Sequence, residues 1–140
     1  MALQDREYIC SVTLMILGEE MEPESVSALL RLRPNKTWRR GTLSAVAGNA
    51  PHQWSGWKKF APPSIQDKSL ESQLGYWVKA LDKNKAALRK IVRSGSYCAL
   101  DCFITSDATA SIIVEPELQR AVSLLGLDLR LSFFAHHNGA

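Results

Sequence analysis

A chain of 140 residues, 46% apolar and 22% charged, has the size and balance of one globular domain around one core, residues 1–140. Its net charge of +3 is low for a dedicated nucleic-acid binder. Its sustained apolar run, Ile9 to Leu17, is interrupted by Cys10, Ser11 and Thr13 and is far shorter than the ~20 residues of a membrane span.

The start, MALQDREY, places Asp5 and Glu7 where a secretory signal would be basic, so a cytoplasmic protein is expected. From Tyr8, the residues Tyr8, Cys10, Val12, Leu14 and Ile16 recur with period two against a more polar Ser11 and Thr13, which predicts a strand with one apolar face. Gly18 ends it. In GEEMEPES, Pro23 suits the first turn of a helix, with Glu22 and Glu24 at the positive end of its dipole. Val26, Leu29 and Leu30 form the buried stripe, and the helix stops before Pro34.

TWRRGTL and HQWSGWKKF read as two short strands flanking a loop over residues 44–50, and APPSIQDKS as a turn-rich connector. Leu70, Leu74, Trp77, Val78 and Leu81 have helical spacing, resumed by Leu88, Ile91 and Val92 after an interruption from Asp82 to Lys85. Trp77 belongs to the core. Gly95 is the left-handed stop, preceded by Arg89, Lys90 and Arg93. SYCALDCFIT predicts a strand, TSDAT a turn, and SIIV a short strand leading into the helix EPELQRAVSLLG. Its Glu-Pro-Glu start matches that of the first helix, a likeness that an internal duplication or two good helix starts would both produce. Leu127, Leu129, Leu131 and Phe133 alternate with Asp128, Arg130 and Ser132, which predicts a last strand with one face buried and the other wet. The ordered core covers about residues 7–134, and the tail AHHNGA, residues 135–140, is read as frayed.

The order is therefore β-α-β-β-α-β-β-α-β. Its first six elements follow the ferredoxin-like split motif. The expected class is α+β, a largely antiparallel or mixed sheet with helices packed on one face.

Taken together, GEEMEPESVSALLRLRP, WRRG, a following tryptophan (Trp54 or Trp57), LESQLGYWVKALDKNKAALRKI, YCALDCFI and EPELQRAVSLLGLDLRLSFF resemble the bacterial family called domain of unknown function DUF4279. The resemblance runs from about Tyr8 to Phe134 and lies in the pattern of the whole chain. Usual members carry Asp in the turn after the first strand, where this chain has Glu. What the resemblance implies is a stand-alone bacterial domain without an assigned reaction.

The residues offer little catalytic chemistry. Gly41 and Gly48 stand seven apart and no Gly-Lys-Ser/Thr element is present, so no phosphate-cradling loop is expected. His136 and His137 are neighbours in the tail and His52 sits alone in a loop, a poor metal set. Cys10, Cys98 and Cys102 read as small buried residues without a disulfide framework. On a strand, Cys98 and Cys102 would share a face about 13 Å apart, too far to share a metal; on a helix the opposite would hold. The crowded Glu19, Glu20, Glu22 and Glu24 are accounted for by the helix dipole. Asp101, the one acid within an apolar strand, falls on the side of Tyr97, Ala99 and Phe103, so either that face is wet or the carboxyl is a paired buried group. No catalytic residue, metal or cofactor is assigned, and the chain is read as a non-enzyme.

The distribution of charge is more informative. No acid occurs between Glu24 and Asp67, whereas Arg31, Arg33, Lys36, Arg39, Arg40, Lys58 and Lys59 all fall there. Trp38, Trp54 and Trp57 lie in the same stretch, in segments too weakly patterned to bury every ring. Tryptophan with arginine is the composition of protein-interface hot spots. The expected function is thus a protein-binding module for an acidic partner protein through Trp38, Arg39, Arg40, Trp54, Trp57, Lys58 and Lys59. By analogy with other small bacterial proteins, that partner would be a toxin and this chain its immunity protein. The alternative is a domain for single-stranded nucleic acid or a phosphate ligand, with bases stacking on the indoles.

Overall fold

The structure, a computed structural model, describes residues 8–44, 50–107 and 109–135. Strands β1 (Tyr8–Gly18), β2 (Lys36–Trp38), β3 (Ser55–Phe60), β4 (Tyr97–Ser106) and β5 (Asp128–Ala135) form one sheet in the order β2-β3-β1-β4-β5. Between them lie α1 (Pro23–Leu30), α2 (Pro63–Gln66), α3 (Leu70–Ala80), α4 (Lys85–Arg93) and α5 (Pro116–Leu124). β1 is antiparallel to β3 and β4, β2 is antiparallel to β3, and β5 is parallel to β4. From β1 to β4 this is the ferredoxin-like split arrangement, and α5 with β5 adds a parallel strand at the margin. The class is α+β with a mixed sheet, as the periodicities imply.

All the helices lie on one face. The alternate residues Tyr8, Cys10, Val12, Leu14 and Ile16 point into them and are buried, together with Val26 and Leu30 of α1. Leu74 and Trp77 of α3, Leu88 and Ile91 of α4 and Val122 of α5 complete the core. Local chemistry sets the helix ends. Pro23 and Pro116 stand in the first turns of α1 and α5. The Ser69 side chain caps α3 by accepting from the Ser72 N–H. Arg31 ends α1 in the left-handed region, at φ 54°, and the Asn84 side chain donates to the Leu30 carbonyl at 2.7 Å.

Helix α3 also completes the sheet. β3 pairs with β1 no further than Thr13↔Phe60, which leaves that side of Val12 and Cys10 without a strand. The buried amide of Gln73 takes its place: its Oε1 accepts from the Val12 N–H and its Nε2 donates to the Cys10 carbonyl, both at 2.9 Å. The Trp77 indole N–H donates to the Val12 carbonyl at 3.0 Å.

The structure departs from the nine-element order at SIIV, which forms no strand. Ile112 and Val114 pack on the core while Ile113 is exposed, so the segment has strand-like alternation. The edge of β4 is paired with β5 from Ala99↔Asp128 to Ser106↔Ala135. Of TWRRGTL, Thr37 and Trp38 are strand, continuing from Lys36; beyond them the chain turns at Gly41 and returns through a Leu43↔Pro51 bridge. The connector contains the short helix α2. The expected loop over residues 44–50 and the frayed tail fall largely outside the described residues.

Candidate functional site

The charged and aromatic stretch is divided by the alternation of β3. Trp57 and Lys59 stand opposite Ile16 and Leu14 on the helix side, whereas Gly56, Lys58 and Phe60 stand opposite Leu17, Met15 and Thr13 on the other. Trp57 is therefore core: fully buried, with its indole N–H donating to the Ser27 hydroxyl at 2.9 Å. This corrects its assignment to a recognition surface. Lys59, on the same side, donates to the Arg33 carbonyl at 2.9 Å.

Trp38 does lie on the helix-free face. Its indole occupies the space that a side chain on Gly56 would need, so only glycine permits the ring to lie across β3. His52 stacks on it with ring centroids 5.4 Å apart, and the Lys58 ammonium stands 5.7 Å from the ring centroid. Lys36 is paired with Lys58 in register. A tryptophan framed by two lysines thus marks one corner of this face.

Across the sheet the same face continues in rows set by the strand register. Trp38, Gly56, Leu17 and Tyr97 form one; Phe60, Thr13, Asp101 and Arg130 another; Ile9, Thr105 and Phe134 a third. Ile9 is 74% exposed, Phe60 42% and Phe103 44%, with Phe103 stacked on Phe134 at 4.3 Å. Asp101 lies on this wetter face, its side chain 24% exposed and facing Arg130 at 3.9 Å. Among the described residues no helix lies on this face.

The chain matches a family model described as Domain of unknown function (DUF4279) over residues 6–134. It belongs to that family. No curated protein and no solved structure matches it.

The remaining expected site residues of this family member are not gathered with Trp38. Arg39 is held by its own protein, with Nη1 on the Glu22 carboxylate and Nη2 on that of Glu24 at 2.6 Å. A backbone hydrogen bond and then Arg39 hold the Glu24 carboxyl below its usual range, and the two glutamates raise Arg39. The glutamates that suit the helix dipole are thus also a clamp between α1 and the end of β2, a pairing without a sequence signature. Arg40 has an exposed side chain, and its N–H donates to the Ser55 hydroxyl at 3.0 Å. Trp54 is 46% exposed, but it lines a separate groove of about 780 Å³ with Glu19, Glu20, Glu22 and Met21.

Cys10, Cys98 and Cys102 are buried thiols that form no disulfide. Burial, with a smaller contribution from neighbouring negative groups, pushes the Cys98 and Cys102 thiols up to about 12. Among the described residues no group of three or more His, Cys, Asp or Glu is placed to share a metal, and no helix is long and apolar enough to cross a membrane. His136 and His137 lie outside the described residues. Lys36, Phe60, Phe103 and Phe134 were missed as candidates because strand alternation alone does not say which face the helices will leave open.

Proposed function

We propose that this protein is a non-enzymatic protein-binding module whose helix-free sheet face receives a partner combining apolar and acidic surface. The observation that carries the reading is the exposed series Ile9, Phe60, Phe103 and Phe134 on a face bordered by Lys36, Lys58 and Trp38. Several large apolar side chains exposed on one sheet face are uncommon on surfaces that meet only water, and lysines at the border would steer carboxylates toward it.

The geometry weighs against nucleic acid. Bases need a free ring face beside cations. Here Trp57 is sealed in the core, Trp38 is already flanked by His52 and Lys58, and Trp54 stands in a groove whose lining sets Glu19, Glu20 and Glu22 against a single cation among the described residues, Lys90. The specific form of the proposal is a bacterial immunity protein acting in the cytoplasm, which inhibits a toxin by covering its active surface. A single small domain presenting one broad face is suited to such blockage.

The test is co-expression with the products of the adjacent genes, followed by affinity measurement. Lys58→Glu together with Phe60→Glu should weaken binding by a hot-spot amount, about 2 kcal/mol or ~30-fold in Kd. Lys59→Glu, on the opposite face, should leave it unchanged. Equal losses from Lys58→Glu and Lys59→Glu would remove the assignment to this face. Tryptophan quenching by oligonucleotides that weakens steeply with salt would replace the protein partner with nucleic acid.

A further inference from the structure

β5 is the margin of the sheet, bonded to β4 on one side and to no strand on the other among the described residues. A row of backbone N–H and C=O groups presented this way is a template for pairing, and proteins usually blunt it with proline, charge or shortness. β5 has little of this protection. It runs for eight residues, DLRLSFFA, with no proline and no charge after Arg130. Leu129, Leu131 and Phe133 alternate on the helix side, yet they remain 41%, 45% and 67% exposed because the helix layer does not extend beyond the margin. Beside Leu129 lies an apolar cavity of about 300 Å³, lined also by Leu74, Val122 and Leu127.

We propose that β5 pairs antiparallel with β5 of a second copy of this chain, about a two-fold axis at Leu131, joining two five-stranded sheets into one. The strand is complementary to itself. In this register Leu131 faces its own counterpart, Leu129 faces Phe133 of the second copy, and Arg130 faces Ser132. The exposed Phe133 ring of each copy is thereby brought to the mouth of the apolar cavity of the other, so knob and hole lie on the same strand. Centring the axis on Arg130 instead would place two guanidinium groups directly opposite each other, which disfavours that register. An isologous contact of this kind closes on itself and leaves no free β5 edge. The Trp38 corner is at the other margin of the sheet, so the dimer would display two copies of it.

The experiment is site-specific crosslinking of the full chain. Directly opposite residues of an antiparallel pair have Cβ atoms about 4.5–5.5 Å apart, near disulfide range. Leu131→Cys should form a covalent dimer under mild oxidation. Phe133→Cys, more exposed but ~13 Å from its own counterpart along the strand direction, should not. The native thiols are buried and will not compete. Sedimentation equilibrium at roughly 100 μM, a concentration that reaches the weak end of the micromolar range for such interfaces, should return twice 15.6 kDa for the parent and once for Leu131→Lys. A monomeric parent overturns the proposal, including the case in which β5 accepts a strand only from another protein. Equal crosslinking from positions 131 and 133 also overturns it, and that readout stands even if Leu131→Lys fails to fold.

Discussion

The indole of Trp38 lies where a Cβ on Gly56 would have to be, so these two residues on neighbouring strands are matched as ring and floor. Gly56→Ala should force the ring off the sheet, disturb its contacts with His52 and Lys58, and cost about 1–3 kcal/mol as an overpacked site. The measurement is thermal unfolding together with the emission maximum of Trp38, isolated by subtracting the spectrum of Trp38→Phe. An unchanged spectrum and midpoint would show that the ring does not rest on Gly56. Partner binding through this corner should weaken in the same variant.

Gln73 stands in for a missing length of β3. Replacing it with leucine keeps the volume but removes the acceptor for the Val12 N–H and the amide donor to the Cys10 carbonyl, both in the interior. With buried unsatisfied groups costing ~1–3 kcal/mol each, Gln73→Leu should lose about 3 kcal/mol in urea unfolding. Gln73→Glu separates donor from acceptor. As a carboxylate it lacks the donor for the Cys10 carbonyl, and protonation restores one, so this variant should recover stability on acidification relative to the parent. A flat difference between the two proteins across acid pH would count against this role.

The raised thiols give a signed pH dependence. Cys98 and Cys102, pushed up to about 12 in the fold, ionise near their ordinary values once the chain unfolds. Above the unfolded value the unfolded state gains from releasing protons that the fold retains. Their contribution is therefore fully present below about pH 8.5 and is lost as pH rises toward the folded value of about 12. Alkaline unfolding of a Cys98→Ala, Cys102→Ala double variant should show a shallower slope over that window. In the native parent at pH 8, a thiol reagent should find all three cysteines slow, and all three should react at once in guanidinium.

Much of this architecture is visible in local pattern. The period-two run from Tyr8 to Ile16, the helical spacing from Leu70 to Leu81 and the Glu-Pro-Glu helix starts each depend on neighbours a few residues away, and each forms where the spacing places it. SIIV has the same kind of pattern yet pairs with no strand, and its alternate residues Ile112 and Val114 pack on the core instead. The candidate site was less legible. Trp57 and Lys58 are adjacent in sequence, yet one is core and the other surface, since β3 sends successive side chains to opposite faces. Arg39 looked free in an acid-free stretch until the turn after β2 brought it to Glu22 and Glu24, fifteen or more positions away.

The order of residues by itself determined an α+β domain, the periodicity of its elements and a basic, tryptophan-bearing segment between Glu24 and Asp67, whereas Leu29 and Val92, expected on buried stripes, are exposed. Only the tertiary structure decided which side of the sheet the helices cover, which cations keep their charge unpaired by a neighbouring carboxylate, and which edge is left open. The physical reason is that periodicity fixes the relative direction of side chains within one element, whereas burial and charge pairing depend on what other elements are brought alongside.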